Sequence, residues 1–209
     1  MDGIGHSPAS TKTPRSASFP DLITTQLRAL LALSREQDVH ILVPMVTLAQ
    51  DMARIRERLT ELAGETGCAI PPLGAMVETP AAALTVSDLR RHADFLSLGT
   101  NDLTQYTMAA GRENPLVGEY FQEDHPAVLR LIRLVVEEAD GAPVEVCGEL
   151  AGQLDAVPTL LGLGIRALSV APPLIPLVKE AVRGAFAHAE HDMESAVPTL
   201  WLEPVGTAE

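Results

Sequence analysis

The chain has 209 residues, 46% hydrophobic and only 3% aromatic, which suits one globular domain packed by Leu, Val, Ile and Ala and excludes global disorder. A formal charge of −13 argues against nucleic acid or an anionic membrane as partner, because both call for a basic surface. No apolar stretch reaches the roughly 18–20 residues that span a bilayer, the first twenty residues lack a signal-peptide core, and Cys68 and Cys147 stand apart as thiols, so the expected location is cytoplasmic.

Residues 1–19 are rich in Ser, Thr and Pro and offer no apolar face, so a flexible tail is expected there. From Asp21 to Ser34, Leu22, Ile23, Leu27, Leu30 and Leu31 form a helical stripe. Val39 to Val46 is a short β-branched run that reads as a buried strand, and the charged, periodic stretch from Leu48 to Leu62 reads as a surface helix. Leu73 to Thr79 reads as the second strand, with Pro80 opening a helix to about Arg91. Phe95 to Gly99 is the third strand. A polar cluster, Thr100-Asn101-Asp102, and a helix-like stretch follow it directly.

A long connection, 111–125, leads to a helix from Pro126 to about Ala139. Pro143 to Gly148 is a fourth strand, Leu154 to Leu163 a helix, Ala167 to Ala171 a fifth strand, and Pro173 to Ala187 a final helix. Residues 188–209 read as a polar tail carrying Trp201. The core is therefore expected over 20–187, as five strands alternating with helices in parallel β/α units. The near-continuous apolar strands suggest a sheet covered on both faces.

Ligands of parallel α/β proteins are held at the carboxyl ends of the strands. Three strand ends here carry unusual residues: Glu78 after the second strand, Asn101 and Asp102 after the third, and Cys147 at the end of the fourth. Two carboxylates, an amide and a thiol on one rim suggest metal-assisted chemistry with a proton donor. Asp102 offers a hard oxygen to a divalent cation, Asn101 can donate to an anionic oxygen, and Arg112 could reach back as a bidentate donor. Each residue also has a plainer reading. Glu78 or Asp102 could cap a helix, Cys147 could be a buried small hydrophobe, and Arg112 a solvated loop charge.

MVETPAA (76–82), SLGTNDLTQYTMAAGR (97–112), HPAVLRLI (125–132), VCGELAG (146–152) and LLGLGIRALSV (160–170) occur in one order and spacing. In these motifs the chain resembles the carboxyl-terminal phosphoenolpyruvate-binding domain of Enzyme I, the phosphoenolpyruvate–protein phosphotransferase of the bacterial sugar phosphotransferase system. Pyruvate phosphate dikinase has a related domain, but the Gln105-Tyr106 form of the motif is closer to Enzyme I. The resemblance runs from about Leu22 to Val182.

It implies a TIM barrel that uses Mg2+ and phosphoenolpyruvate. Glu78 and Asp102 would be Mg2+ ligands, Asn101 and Arg112 would hold the phosphate, and Cys147 would protonate the enolate carbon as pyruvate leaves. The phosphoryl group would pass to a histidine on a separate phosphohistidine domain and from there to the carrier protein HPr. No acceptor histidine in a matching motif is present in this chain.

An eight-stranded barrel typically takes about 250 residues, and five units are legible, so the expected fold is α/β, an incomplete (β/α)8 barrel lacking its amino-terminal units. Those units carry further cationic residues of the family's substrate clamp. Gly111 stands where the family commonly has an acidic residue, and Gln153 where it has an Asp. The open edges suggest a fragment or a module completed by another chain, and the resemblance implies a homodimer, since this domain forms the dimer interface in Enzyme I. The alternative to a phosphotransferase is a non-catalytic dimerisation or metabolite-sensing remnant of the same domain.

Overall fold

The computed structural model describes residues 20–195, with side chains over 21–186. The expected tail at 1–19, and Trp201 with the end of the carboxyl-terminal tail, lie outside the described residues.

Five strands form one sheet: β1 (Ile41–Val43), β2 (Leu73–Val77), β3 (Phe95–Gly99), β4 (Val144–Cys147) and β5 (Ala167–Leu168). Their spatial order is their chain order, and every pairing is parallel. Parallel crossovers are right-handed, so an unreversed order stacks every connecting helix on the same face. That is the arrangement of a barrel wall, whereas a doubly wound sheet reverses its order midway.

The alternation of side chains follows. Leu73, Ala75, Val77, Leu96, Leu98 and Val146 are fully buried on one face, in a single core with Leu59, Leu62, Leu89, Ile132, Val135 and Leu160 of the helices. Each fully buried aliphatic side chain of this size contributes roughly 1.5–3 kcal/mol, so this face carries most of the stability. The residues between them are different. Leu42, Met76, Phe95 and Glu145 are only half-buried. The apolar strands suggested cover on both faces, but the helices cover only one. The other is an inner face that includes polar Ser97 and Glu145 and leads up to the rim.

The helices follow their patterns closely. In α2 (Ala49–Thr66), Met52, Ile55, Leu59, Leu62 and Ala63 form the buried stripe, and Asp51 accepts from the Leu48 N–H at 3.1 Å to close the first turn. In α6 (Pro126–Glu138), Val128, Ile132 and Val135 face the core, and His125 Nδ1 accepts from the Ala127 N–H at 3.2 Å. At the bottom of the sheet the Asp94 carboxylate accepts from both the Leu73 N–H and the Arg56 guanidinium at 2.8 Å, tying β2 to α2.

Some boundaries shift for identifiable reasons. The first strand stops at Val43 because Pro44 has no N–H to pair and Met45 turns to φ 53°. The helix expected over Pro80–Arg91 divides into α3 (Pro80–Ala83) and α4 (Val86–Leu89), with Thr85 between them donating its hydroxyl to the Ala81 carbonyl. The connection after β4 tightens into a 3-10 turn, Glu149–Gly152, so α7 is only Val157–Gly162. α1 (Pro20–Leu33) and α5 (Thr100–Met108) form where expected, and α8 (Ile175–Ser195) runs past Ala187.

Candidate functional site

Parallel register fixes which residues share a layer of the inner face. Gly74 pairs with Phe95, Met76 with Ser97, Ser97 with Glu145, and Gly99 with Cys147. Continuing β2 by one residue places Glu78 beside Gly99. The top layer is therefore Glu78, Gly99 and Cys147, with Asn101 and Asp102 rising from the first turn of α5 immediately above β3. Of the residues singled out in the sequence, Glu78, Asn101, Asp102 and Cys147 come together on one rim.

Glu78 is buried, with 5% of its surface exposed. Its Oε1 accepts from the Met45 N–H at 2.5 Å, a bond that the left-handed turn at Met45 makes possible. Burial pushes its carboxyl from 4.5 up to about 7 despite that bond, and the neighbouring Asp102 pushes in the same direction by charge and by a shared hydrogen bond. The capping reading of Glu78 finds no support, because Thr79 Oγ1 is the group that caps α3, accepting from the Ala82 N–H at 3.2 Å. Gly99 makes room for this carboxylate: a Cβ there would stand 2.8 Å from both Cβ and Oε2 of Glu78.

The amide of Asn101 bridges to the fourth strand end. Its Oδ1 accepts from the Glu149 N–H at 2.8 Å, which leaves its NH2 group to point elsewhere, and Thr100 Oγ1 donates to the Cys147 carbonyl at 3.0 Å. These contacts demand a glycine at 148. Its φ of +105° is one that other residues rarely adopt, and a Cβ would lie 2.5 Å from Thr100 Oγ1 and 2.6 Å from Asn101 Oδ1.

Both cysteines are free thiols. Burial pushes the Cys147 thiol up, and the carboxylates of Glu145 and Glu78 add to that, while a hydrogen bond from Ser97 opposes it. The group is thus kept protonated. Cys68 is remote in kind as well as in sequence: its sulfur accepts from Arg35 Nε at 3.0 Å at the end of α2.

Arg112 is turned to Glu149 on the Cys147 side of the rim, at 3.8 Å, and both side chains are largely exposed. The 111–125 connection that carries it is anchored by Glu123, which is buried and accepts from Gln153 Nε2 at 2.7 Å. Burial raises the Glu123 carboxyl, with Glu149 adding to the effect. Gln153 donates to this carboxylate where an Asp would repel it.

Three participants escaped the sequence reading. Met45 gave no signal, since its role is a backbone N–H set by an unusual φ. Ser97 could have been found by counting in twos back from Gly99. Glu123 sits in an irregular connection with no period to read. Chemically, the rim offers two adjacent carboxylates, one of which keeps its proton to near neutrality, which is the donor set of a hard divalent cation that needs only one or two protein carboxylates. Among the described residues no cluster of three or more acidic, His or Cys ligands forms, so a fuller protein cage is not present. No helix of the described residues is long and apolar enough to cross a membrane.

Residues 13–186 match the family described as PEP-utilising enzyme, PEP-binding domain. The chain is 43% identical over 184 residues to the phosphoenolpyruvate-protein phosphotransferase of Cupriavidus necator, covering 84% of this chain and 31% of that protein. It is 40% identical over 194 residues to the Bacillus subtilis protein of the same name, covering 88% of this chain and 34% of that protein. The multiphosphoryl transfer protein of Xanthomonas campestris is 42% identical over 194 residues, covering 91% of this chain and 23% of that protein. The chain thus spans about a quarter to a third of these relatives. In fold it is similar to a citrate lyase from Burkholderia xenovorans, with TM-score 0.59 at 19% identity, covering 81% of this chain and 60% of that one. A pyruvate kinase from Cryptosporidium parvum gives TM-score 0.55 at 10% identity, covering 86% of this chain and 39% of that one.

Proposed function

The chain belongs to the PEP-binding domain family of PEP-utilising enzymes, and from that membership we propose that its rim binds phosphoenolpyruvate with Mg2+ as the donor half of a phosphoenolpyruvate–protein phosphotransferase. The observation that carries this reading is the adjacency of the buried Glu78 carboxyl to Asp102, beside a thiol held in its protonated form.

Glu78 and Asp102 are the residues that would hold the cation. Bound there, Mg2+ would neutralise charge on the phosphoryl oxygens. Asn101, with its carbonyl oxygen already engaged by Glu149, turns its NH2 donors to a substrate oxygen, and the first N–H groups of α5 add to the same anion site. Arg112 exchanges its long, exposed contact with Glu149 for the substrate's phosphate. As the phosphorus–oxygen bond to the enol breaks, the phosphoryl group leaves for a histidine nitrogen on a separate domain. The electron pair then stays on the enolate of pyruvate. Cys147 gives its proton to the methylene carbon, and the resulting thiolate is reprotonated from solvent.

Positioning and charge neutralisation supply most of the catalysis of phosphoryl transfer, so a chain of charge −13 needs its cation and its donors placed together. β1 and β5 each leave one edge without a strand partner among the described residues. The reading therefore includes further barrel units, from the same or another chain, that close the site, with a phosphohistidine domain and HPr downstream.

Calorimetric titration of phosphoenolpyruvate, with and without Mg2+, tests the reading on the chain itself. Mg2+-dependent binding that disappears in Asp102→Asn is expected. Absence of binding at millimolar ligand refutes it for this chain and favours the non-catalytic, dimerising or sensing remnant.

A further inference from the structure

One layer beneath the rim, Ser97 is completely buried, although it is polar and the preceding inner-face residue of its strand, Phe95, is only half-buried. It stands in register between Met76 of β2 and Glu145 of β4. Its hydroxyl donates to Cys147 Sγ at 3.3 Å, diagonally across the β3–β4 pair, and the thiol in turn donates to the Leu98 carbonyl at 3.4 Å. Among the described residues, no other side chain donates a hydrogen bond to that sulfur.

Two carboxylates act on the thiol from neighbouring positions. Glu145 on its own strand and Glu78 at the end of β2 both oppose ionisation of Cys147. A thiolate formed at this position would meet two carboxylates and a single donor. A hydrogen bond to an ionised group is worth about twice one between neutral partners, so the Ser97 contact strengthens as the proton leaves. Resting on the assignment of Cys147 as proton donor, we propose that Ser97 is a positioning residue for that thiol: it fixes the sulfur at the rim, frees the S–H to turn from the Leu98 carbonyl towards the substrate, and stabilises the thiolate left behind.

The measurement is the rate of iodoacetamide alkylation of Cys147 as a function of pH, resolved from Cys68 by peptide mass spectrometry. Ser97→Ala should raise the midpoint by about one pH unit, which is about tenfold less thiolate at a given pH. Because a buried serine is removed, the near-isosteric pair Ser97→Thr and Ser97→Val separates the hydroxyl from the packing. The Thr variant should titrate like the wild type and the Val variant like Ala. Equal midpoints for Thr and Val, or an unmoved midpoint in Ala, overturn the proposal.

Exchange of pyruvate methyl hydrogens in D2O with Mg2+, followed by NMR, tests the reading beneath it. Exchange lost in Cys147→Ala and slowed in Ser97→Ala supports both. Exchange that persists undiminished in Cys147→Ala overturns the role of Cys147 as donor, and with it the catalytic part of the Ser97 proposal, whatever the alkylation midpoints show.

Discussion

Replacing Glu78 by Gln should stabilise the metal-free protein above neutral pH, although the residue lies at the centre of the candidate site. The folded carboxyl holds its proton to about pH 7, whereas its ordinary value is 4.5. The folded state therefore binds more protons than the unfolded chain between those values, and stability falls as pH rises through that window. Integrated to pH 8, the difference corresponds to about 3 kcal/mol. Gln keeps an oxygen for the Met45 N–H and offers an N–H to Asp102, so it removes the buried charge without leaving either partner bare. Urea denaturation in EDTA, followed by circular dichroism at steps from pH 4 to 8, should give superimposed curves at the acid end. By pH 8 the variant should lead by about 3 kcal/mol, or about 6–12 °C in Tm for a domain of this size. Added Mg2+ should then raise the wild type alone, because a cation offsets the same buried negative charge. A gap that is constant from pH 4 to 8, or a variant less stable at pH 8, would refute the reasoning.

Gly148→Ala should cost about 2–4 kcal/mol in the same assay, since a Cβ at φ +105° would press on the hydrogen-bonded ends of Thr100 and Asn101. Leu98→Ala opens a cavity beneath the site in a fully buried position and should cost about 2–5 kcal/mol by denaturant midpoint. Arg112→Ala should change stability by less than about 1 kcal/mol, because its pair with Glu149 is long and exposed. By calorimetry, that variant should still bind phosphoenolpyruvate at least about tenfold more weakly, the worth of a hydrogen bond to a charged group. A large loss of stability without loss of affinity would reverse the assignment of Arg112.

Much of this architecture is written in local pattern. The apolar run Phe95–Gly99 ending at Thr100-Asn101-Asp102 marks a strand, its carboxyl end and a helix start, and the structure places all three there. The number of strands and the convergence of Glu78, Asp102 and Cys147 also follow, because parallel strands share one direction and their carboxyl ends share one rim. Apolar content alone misled about the second sheet face. Leu, Val and Ala along a strand report that a residue is apolar, and only the helices, all packed on one side, decide which of two alternating sets is covered.

What the sequence by itself determined is thus the class of fold, the rim and the identity of the residues on it, since each depends on neighbours within a few positions. Tertiary structure alone decided the chemistry of those residues. Glu78 keeps its proton because it is buried beside Asp102, 24 positions away in sequence, and its oxygen meets a backbone N–H, 33 positions earlier, that only a left-handed turn exposes. Cys147 meets the Ser97 hydroxyl across 50 positions. Burial and hydrogen bonding between distant segments set protonation, and no local pattern encodes them.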